Sequence, residues 1–315
     1  MTGKEFGRFR KMFDREIIQK NLIALKYELR ERLFRAQRID MPDPIFIVGC
    51  SRSGTTVTFD TIRNSCQLIA FPYEIPQFWH SLFGPWDNNW VSECADTQNA
   101  NPEHRAKAFA HFYARLGQGQ VMDKSCINIL RIPYLHALFP SATFIYIHRD
   151  GRDNVSSLMD GWRHNRHFSL APLLGEIPGP VSINGGEFDD WCFFLPPQWQ
   201  QYNSAPLEEV CAHQWISANA RALEDKQLVP EDKWIQFPYE NIVDSPVDTF
   251  NEIFDRLGLE FTPAIRSHCA TLNQRPTSIV AGPPARDKWR LHHPNEIERV
   301  LPKIEPMMKQ LGYSM

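Results

Sequence analysis

A glycine-framed loop, GCSRSGTT at residues 49–56, constrains the fold of this chain more than any other feature. It follows the apolar run IFIVG (45–49), which is typical of a buried parallel strand, and it leads into a helix predicted to extend to about residue 66. Glycines let the backbone curl so that its amides face an anion, and a helix N-terminus adds favourable partial charge. The loop therefore predicts a phosphate site within an α/β fold.

The residue content of this loop argues against an ATP-hydrolysing enzyme. A loop that binds ATP carries Lys at the position of Thr55, where the Lys reaches the terminal phosphates and the next hydroxyl holds magnesium. The cation inside this loop is instead Arg52. The loop can hold a phosphate-like group, although the loop alone is also compatible with an ordinary glycine turn.

The remaining apolar runs alternate with helical patterns along the chain. Further strands are predicted at 67–71, 120–123, 143–147 and 234–237, and helices at 102–116, 128–138, 151–162, 207–226, 246–257 and 295–311. This alternation predicts an α/β fold with a P-loop-type parallel β-sheet flanked by helices on both faces.

Two regions lie outside this pattern. Residues 1–40 form a predicted N-terminal extension, in which apolar residues at helical spacing over 14–38 indicate an amphipathic helix. Residues 41–315 are predicted to be one domain that contains an irregular, aromatic-rich insertion at 164–205. The insertion either forms a lid over one side of a binding site, where a second substrate would enter, or packs onto the core.

A second strand-to-helix junction resembles another anion site. In TFIYIHRDGRDNVSSL (143–158), Arg149 ends the predicted strand and Ser157 lies eight residues later, about two turns into the helix. Arg149 can make a forked, charge-assisted contact to a phosphate, and Ser157 can donate a hydroxyl hydrogen bond.

These motifs together resemble the sulfotransferases that use 3'-phosphoadenosine 5'-phosphosulfate (PAPS). GCSRSGTT resembles the family's 5'-phosphosulfate loop, in the RSGTT form of its tyrosylprotein and bacterial members. The Arg–Ser pair around RDGRD resembles the family's 3'-phosphate motif. The resemblance extends over about residues 44–311 and implies in-line sulfuryl transfer from PAPS to an acceptor hydroxyl, with a glutamate as general base.

The resemblance also implies roles for individual residues. Three residues are expected to be catalytic: Glu74 in FPYEIP as the general base, Lys124 in DKSC at the leaving or sulfuryl oxygens, and Arg52. The family often has Pro where this chain has Cys126, which puts the local backbone geometry in doubt. The residues expected to bind the nucleotide are Arg52, Ser53, Gly54, Thr55, Thr56, Arg149, Ser157, Tyr239, Ser278 and Lys288.

Composition limits the partners. With 34 basic and 37 acidic side chains, a net charge of -3 argues against a nucleic-acid binder. Seven widely spaced cysteines without a CxxC favour a reduced, cytoplasmic chain, and no apolar run is long enough to predict a membrane span. No histidine cluster has convincing metal-ligand spacing, so no metal is expected.

The sequence leaves the acceptor and the assembly open. A small-molecule, carbohydrate or peptide hydroxyl all fit the motifs, and a homodimer remains open. Two other functions compete with the leading one: a P-loop kinase or nucleotidase that uses ATP, and a binding protein that keeps the fold without the reaction. The missing loop Lys argues against the first, and the presence of both Glu74 and Lys124 argues against the second.

Overall fold

The computed structural model describes residues 15–37, 39–164, 167–274 and 285–314. Its centre is a sheet of five parallel strands in the order β2-β3-β1-β4-β5. The strands are β1 (Ile45–Val48), β2 (Leu68–Ala70), β3 (Gln120–Asp123), β4 (Thr143–His148) and β5 (Trp234–Pro238).

The described helices surround this sheet. They are α1 (Arg15–Gln37), α2 (Thr55–Ile62), α3 (Pro76–Leu82), α4 (Pro102–Leu116), α5 (Ile132–Leu138), α6 (Gly151–Trp162), α7 (Ala171–Leu174), α8 (Leu207–Asp225), α9 (Tyr239–Asp244), α10 (Pro246–Arg256), α11 (Pro263–Cys269), α12 (Trp289–His292) and α13 (Pro294–Gln310). The predicted α/β fold is therefore confirmed.

Side chains of the central strand alternate between two hydrophobic cores. Phe46 and Val48 join the core on one face of the sheet, whereas Ile45 and Ile47 join the core on the other. All four residues of β1 are buried, because helices cover both faces.

The strand order places two loops beside each other. β1 pairs with β4 from Ile45–Thr143 to Val48–Tyr146, so the loops that follow these strands leave the same edge of the sheet. The chain goes from β1 toward the β2 edge and from β4 toward the β5 edge. Open parallel sheets bind ligands at such a point of divergence.

Most predicted boundaries agree with the structure, and the differences have local causes. The strand at 120–123 and the helices at 102–116 and 151–162 are confirmed. Helix α2 ends at Ile62 rather than near residue 66, because the Asn64 side-chain amide donates to the carbonyls of Asp60 and Thr61 in the last turn. The helix predicted at 128–138 is divided into a 3₁₀ turn, Cys126–Leu130, and α5.

Helix α1 packs against α4 by a different face from its apolar stripe. Phe34 contacts Tyr113 with ring centroids 5.4 Å apart, and Arg115 pairs with Glu31 at 2.8 Å. The stripe itself is 40–60% exposed at Ile18, Leu22, Leu25, Leu29 and Leu33. Within the described ranges, no helix is both long enough and apolar enough to cross a membrane.

The 164–205 segment is irregular over its described part, 167–205, but firmly packed. Two isolated bridges, Ser169–Cys192 and Ile183–Phe188, fold it back on itself. Trp191, Phe194 and Trp199 are fully buried in the larger core. The buried residues of this segment therefore belong to the hydrophobic core of the domain.

Candidate active site

A cavity of about 640 Å³ opens at the edge of the sheet where β1 and β4 end. It is lined by both predicted anion loops and by the loops that follow β2 and β3. The described residues predicted for the site line this cavity, with the exception of Ser53. Ser53 is fully buried and its backbone N–H donates to the carbonyl of Cys50 at 3.1 Å. Ser278 lies outside the described residues.

The first loop requires glycine for two reasons. Gly54 has a φ of 101°, a backbone angle that residues with a Cβ rarely adopt. A Cβ at this position would also lie 2.4 Å from Cδ2 of Tyr239. Arg52 also has a positive φ, of 72°, so the loop bends sharply on both sides of Ser53. This bend turns the Arg52 side chain toward the cavity.

The two anion loops are hydrogen-bonded to each other. Arg149 Nη1 donates to the backbone carbonyl of Arg52 at 3.1 Å, and Arg52 Nε donates to Ser157 Oγ at 3.2 Å. The Arg149 guanidinium also lies 4.6 Å from the ring centroid of Tyr239. Residues that are far apart in sequence thus form one continuous cationic surface.

This cationic surface brings two guanidinium groups close together. Burial, and secondly the neighbouring Arg149, lower the pKa of Arg52. Arg149 Nε is buried without a hydrogen-bond partner, and the nearest carboxylate oxygen of Asp153 is 3.9 Å from Arg149 Nη2. Two partly desolvated guanidinium groups with a spare donor favour an anion between them.

Glu74 and Lys124 form an ion pair on the cavity wall. Lys124 Nζ lies 2.5 Å from Glu74 Oε1 and donates to Thr56 Oγ1 at 3.1 Å. The other carboxylate oxygen of Glu74 accepts the Cys126 N–H at 2.8 Å. Lys124 is 8% exposed and Glu74 33%, so the carboxylate can be reached from the cavity while the ammonium is tied to the phosphate loop.

Asp123, which was not among the predicted site residues, is buried next to this pair. Its buried carboxylate accepts from Trp79 Nε1 at 2.9 Å, Asn128 Nδ2 at 2.7 Å and Ser125 Oγ at 3.3 Å. Ser125 Oγ in turn accepts the N–H of Ile75, next to Glu74. Burial raises the pKa of Asp123 to about 6, and Glu74 contributes. The sequence feature that pointed to Asp123 is its position directly before Lys124.

Asp153 was also missed, and it holds the late segment that contains Lys288. Its carboxylate accepts the backbone N–H groups of Asp287 at 2.8 Å and of Trp289 at 3.1 Å, one on each side of Lys288. Lys288 lines the cavity, and burial followed by Arg149 lowers its pKa. The sequence feature that pointed to Asp153 is the charged repeat RDGRD (149–153), in which it is the second aspartate.

The described residues contain no group of three or more His, Cys, Asp or Glu side chains placed to hold a metal ion. His164 and His167 have rings 6.1 Å apart, and His292 and His293 each contact Asp160.

Comparisons with known proteins agree with this geometry. A model described as "Sulfotransferase family" matches residues 44–175 and 191–263. A protein-tyrosine sulfotransferase of Drosophila melanogaster is 22% identical over 290 residues, which cover 85% of this chain and 51% of that protein. The chain therefore spans about half the length of this curated relative.

A solved structure shares the fold. The crystal structure of sulfotransferase STF9 from Mycobacterium avium superposes with a TM-score of 0.57 at 12% identity, covering 91% of this chain and 82% of that one. The family model covers well over half of the 315 residues and includes both anion loops. The chain belongs to the sulfotransferase family.

Proposed function

We propose that this protein transfers the sulfuryl group of PAPS to an acceptor hydroxyl. The observation that carries the proposal is the joining of two strand-loop-helix anion sites through Arg52, Arg149 and Ser157, beside the Glu74–Lys124 pair. A donor with phosphate groups at both ends of its ribose needs two such sites, whereas a nucleoside triphosphate needs one extended site.

In this proposal the first loop holds the 5'-phosphosulfate. The backbone of residues 52–56 and the start of α2 face the anion, and Arg52 contacts the sulfuryl oxygens. Arg149 and Ser157 hold the 3'-phosphate. Tyr239, packed between Gly54 and Arg149, supports the nucleotide. Lys288 closes on it from the late segment. Ser278 is proposed for the same segment.

The reaction is a direct transfer. The acceptor oxygen attacks sulfur while the bond from sulfur to the bridging oxygen breaks, and the bond electrons leave with adenosine 3',5'-bisphosphate. Glu74 takes the acceptor's proton, and Lys124 stabilises the oxygen that leaves. The ion pair between them separates when the acceptor and donor each take one partner.

A transferred sulfuryl group carries one negative charge, and four cationic side chains line the cavity: Arg52, Lys124, Arg149 and Lys288. Charge stabilisation by these groups supports a reaction that needs no divalent metal. We expect turnover to be unchanged in EDTA. Loss of activity in EDTA and its recovery with magnesium would contradict this part of the proposal.

The experiment that tests the donor is a tryptophan-fluorescence titration. Adenosine 3',5'-bisphosphate should bind at least about tenfold more tightly than ATP with magnesium, because it places a phosphate at each of the two sites. Tighter binding of ATP would favour a kinase or nucleotidase, which Thr55 in place of the loop Lys argues against. The cytoplasmic location and the homodimer stay predictions.

A further inference from the structure

The cavity has a second wall that the donor does not need. It is formed by Phe168, Leu170, Pro172, Leu173 and Phe193 from the 164–205 segment, and is called here the apolar wall. On the proposed function, we infer that the acceptor hydroxyl is carried by an apolar, ring-bearing group rather than by a sugar.

The apolar wall stands between two candidate catalytic groups. The Arg52 guanidinium lies 5.6 Å from the ring centroid of Phe168. Phe193 is linked to the other group, Glu74, through Cys126. The Phe193 carbonyl accepts from Cys126 Sγ at 3.4 Å, and the Cys126 N–H donates to Glu74. A group resting on this wall therefore lies in the same cavity as Arg52 and Glu74, so its hydroxyl can be directed to the sulfuryl site and the proposed base.

The fold holds this wall in one arrangement. Leu170 N donates to Trp191 O at 2.8 Å, and Phe193 N donates to Phe168 O at 2.9 Å. These bonds stack the rings of Phe168 and Phe193 with centroids 4.7 Å apart and planes at 27°. Phe193 has a φ of 69°, a strained conformation for a bulky residue that persists only where the surrounding structure holds it in place.

Few polar groups on this side could receive a sugar. Of the described 164–205 residues that line the cavity, His167 and Ser169 are polar, and Ser169 Oγ already donates to Asp190 at 2.5 Å. Sugar hydroxyls placed against the wall would lose water without gaining partners. An apolar ring gains contact with Phe168 and Leu173 instead.

Two primary alcohols on six-membered rings provide a matched test. Cyclohexylmethanol and methyl β-glucopyranoside each offer a CH₂OH group, but one ring is apolar and the other has hydroxyls. With radiolabelled PAPS and the full chain, we expect kcat/KM for cyclohexylmethanol to exceed that for the glucoside at least about tenfold. An equal or greater value for the glucoside overturns the inference, as does failure to sulfate cyclohexylmethanol by a protein that binds adenosine 3',5'-bisphosphate.

Variants connect the preference to the wall. Leu173→Ala should raise the KM for cyclohexylmethanol roughly tenfold and leave the Kd for adenosine 3',5'-bisphosphate unchanged. Leu228→Ala, at a half-exposed leucine away from the cavity, is the control and should change neither. An unchanged KM in Leu173→Ala overturns the inference. Loss of nucleotide binding in the unaltered protein would instead contradict the proposed function itself.

Discussion

The cation-lined side of the cavity and the apolar wall opposite it are built by different means. Arg52, Lys124 and Arg149 lie within a few residues of strand ends, and side-chain hydrogen bonds, such as that from Arg149 to the carbonyl of Arg52, link the loops that carry them. The apolar wall comes from a segment whose described residues form no strand of the sheet, and it packs in the larger core with buried aromatic residues such as Trp191. The first arrangement can be predicted from sequence motifs, because the regular fold determines where the loop after each strand lies. The second depends on hydrogen bonds and packing within an irregular segment, which no local motif specifies.

The largest expected effect lies on the cation-lined side. Glu74→Gln should lower kcat by about 10²-fold or more, because glutamine can still accept the Cys126 N–H but cannot take a proton. The Kd for adenosine 3',5'-bisphosphate should stay nearly constant. Glu231→Gln, at an exposed glutamate in a 3₁₀ turn, is the matched control. Near-normal kcat in Glu74→Gln would assign the base to another residue.

The next effect tests the support of the apolar wall. Trp191 is fully buried, its indole N–H donates to Asn203 Oδ1 at 2.8 Å, and it does not line the cavity. Trp191→Ala should lower the free energy of unfolding by about 3–5 kcal/mol and weaken both substrates together. Urea unfolding measures this directly. A stable variant with only a raised acceptor KM would place Trp191 in the wall itself.

The 3'-phosphate assignment predicts an effect on nucleotide selectivity. Arg149→Ala should weaken binding of adenosine 3',5'-bisphosphate by more than about tenfold, since a charged hydrogen bond is typically worth ~1.5–3 kcal/mol. Binding of adenosine 5'-monophosphate should change much less, and Ser157→Ala should show the same selectivity to a smaller degree. Arg63→Ala, on the surface after α2, is the control. Equal losses for both nucleotides would rule out a 3'-phosphate at Arg149.

The smallest effect concerns the carboxylate behind Lys288. Asp153→Asn leaves one oxygen that can accept the N–H of either Asp287 or Trp289. The new side-chain NH₂ group then faces the remaining N–H, which loses its acceptor. We expect binding of adenosine 3',5'-bisphosphate to weaken by roughly 1–2 kcal/mol, or several-fold to about thirtyfold, while acceptor KM holds. If Lys288→Ala in the Asp153→Asn background weakens binding as much as it does alone, Asp153 does not act through Lys288.

Much of the regular part could be predicted from the sequence. The alternation of apolar runs gave the parallel sheet, and the helix at 151–162 follows directly from its pattern. The strand order could not be predicted, because it depends on which crossovers pack best and not on local periodicity. Short helices such as Pro76–Leu82 and Pro263–Cys269 were also missed, since two turns show too little periodicity to separate from a loop.

The site was predictable to the extent that it follows motifs. Arg52 and Arg149 come together as the two anion loops required, and Lys124, after β3, lines the same cavity. Asp123 and Asp153 were missed because their importance lies in long-range hydrogen bonds, to Trp79 and to the backbone around Lys288. Trp191 and Phe193 are two residues apart in one aromatic stretch and both belong to the larger core, yet only Phe193 also lines the cavity. Only the tertiary structure separates them.

The most direct measurement of the central claim is label transfer from radiolabelled PAPS to an acceptor, with adenosine 3',5'-bisphosphate counted in the same reaction. The protein should move label to a hydroxyl compound and release the bisphosphate in equal amount, and Glu74→Gln should slow both together. Transfer from γ-labelled ATP with magnesium, with no label moved from PAPS, would contradict the account.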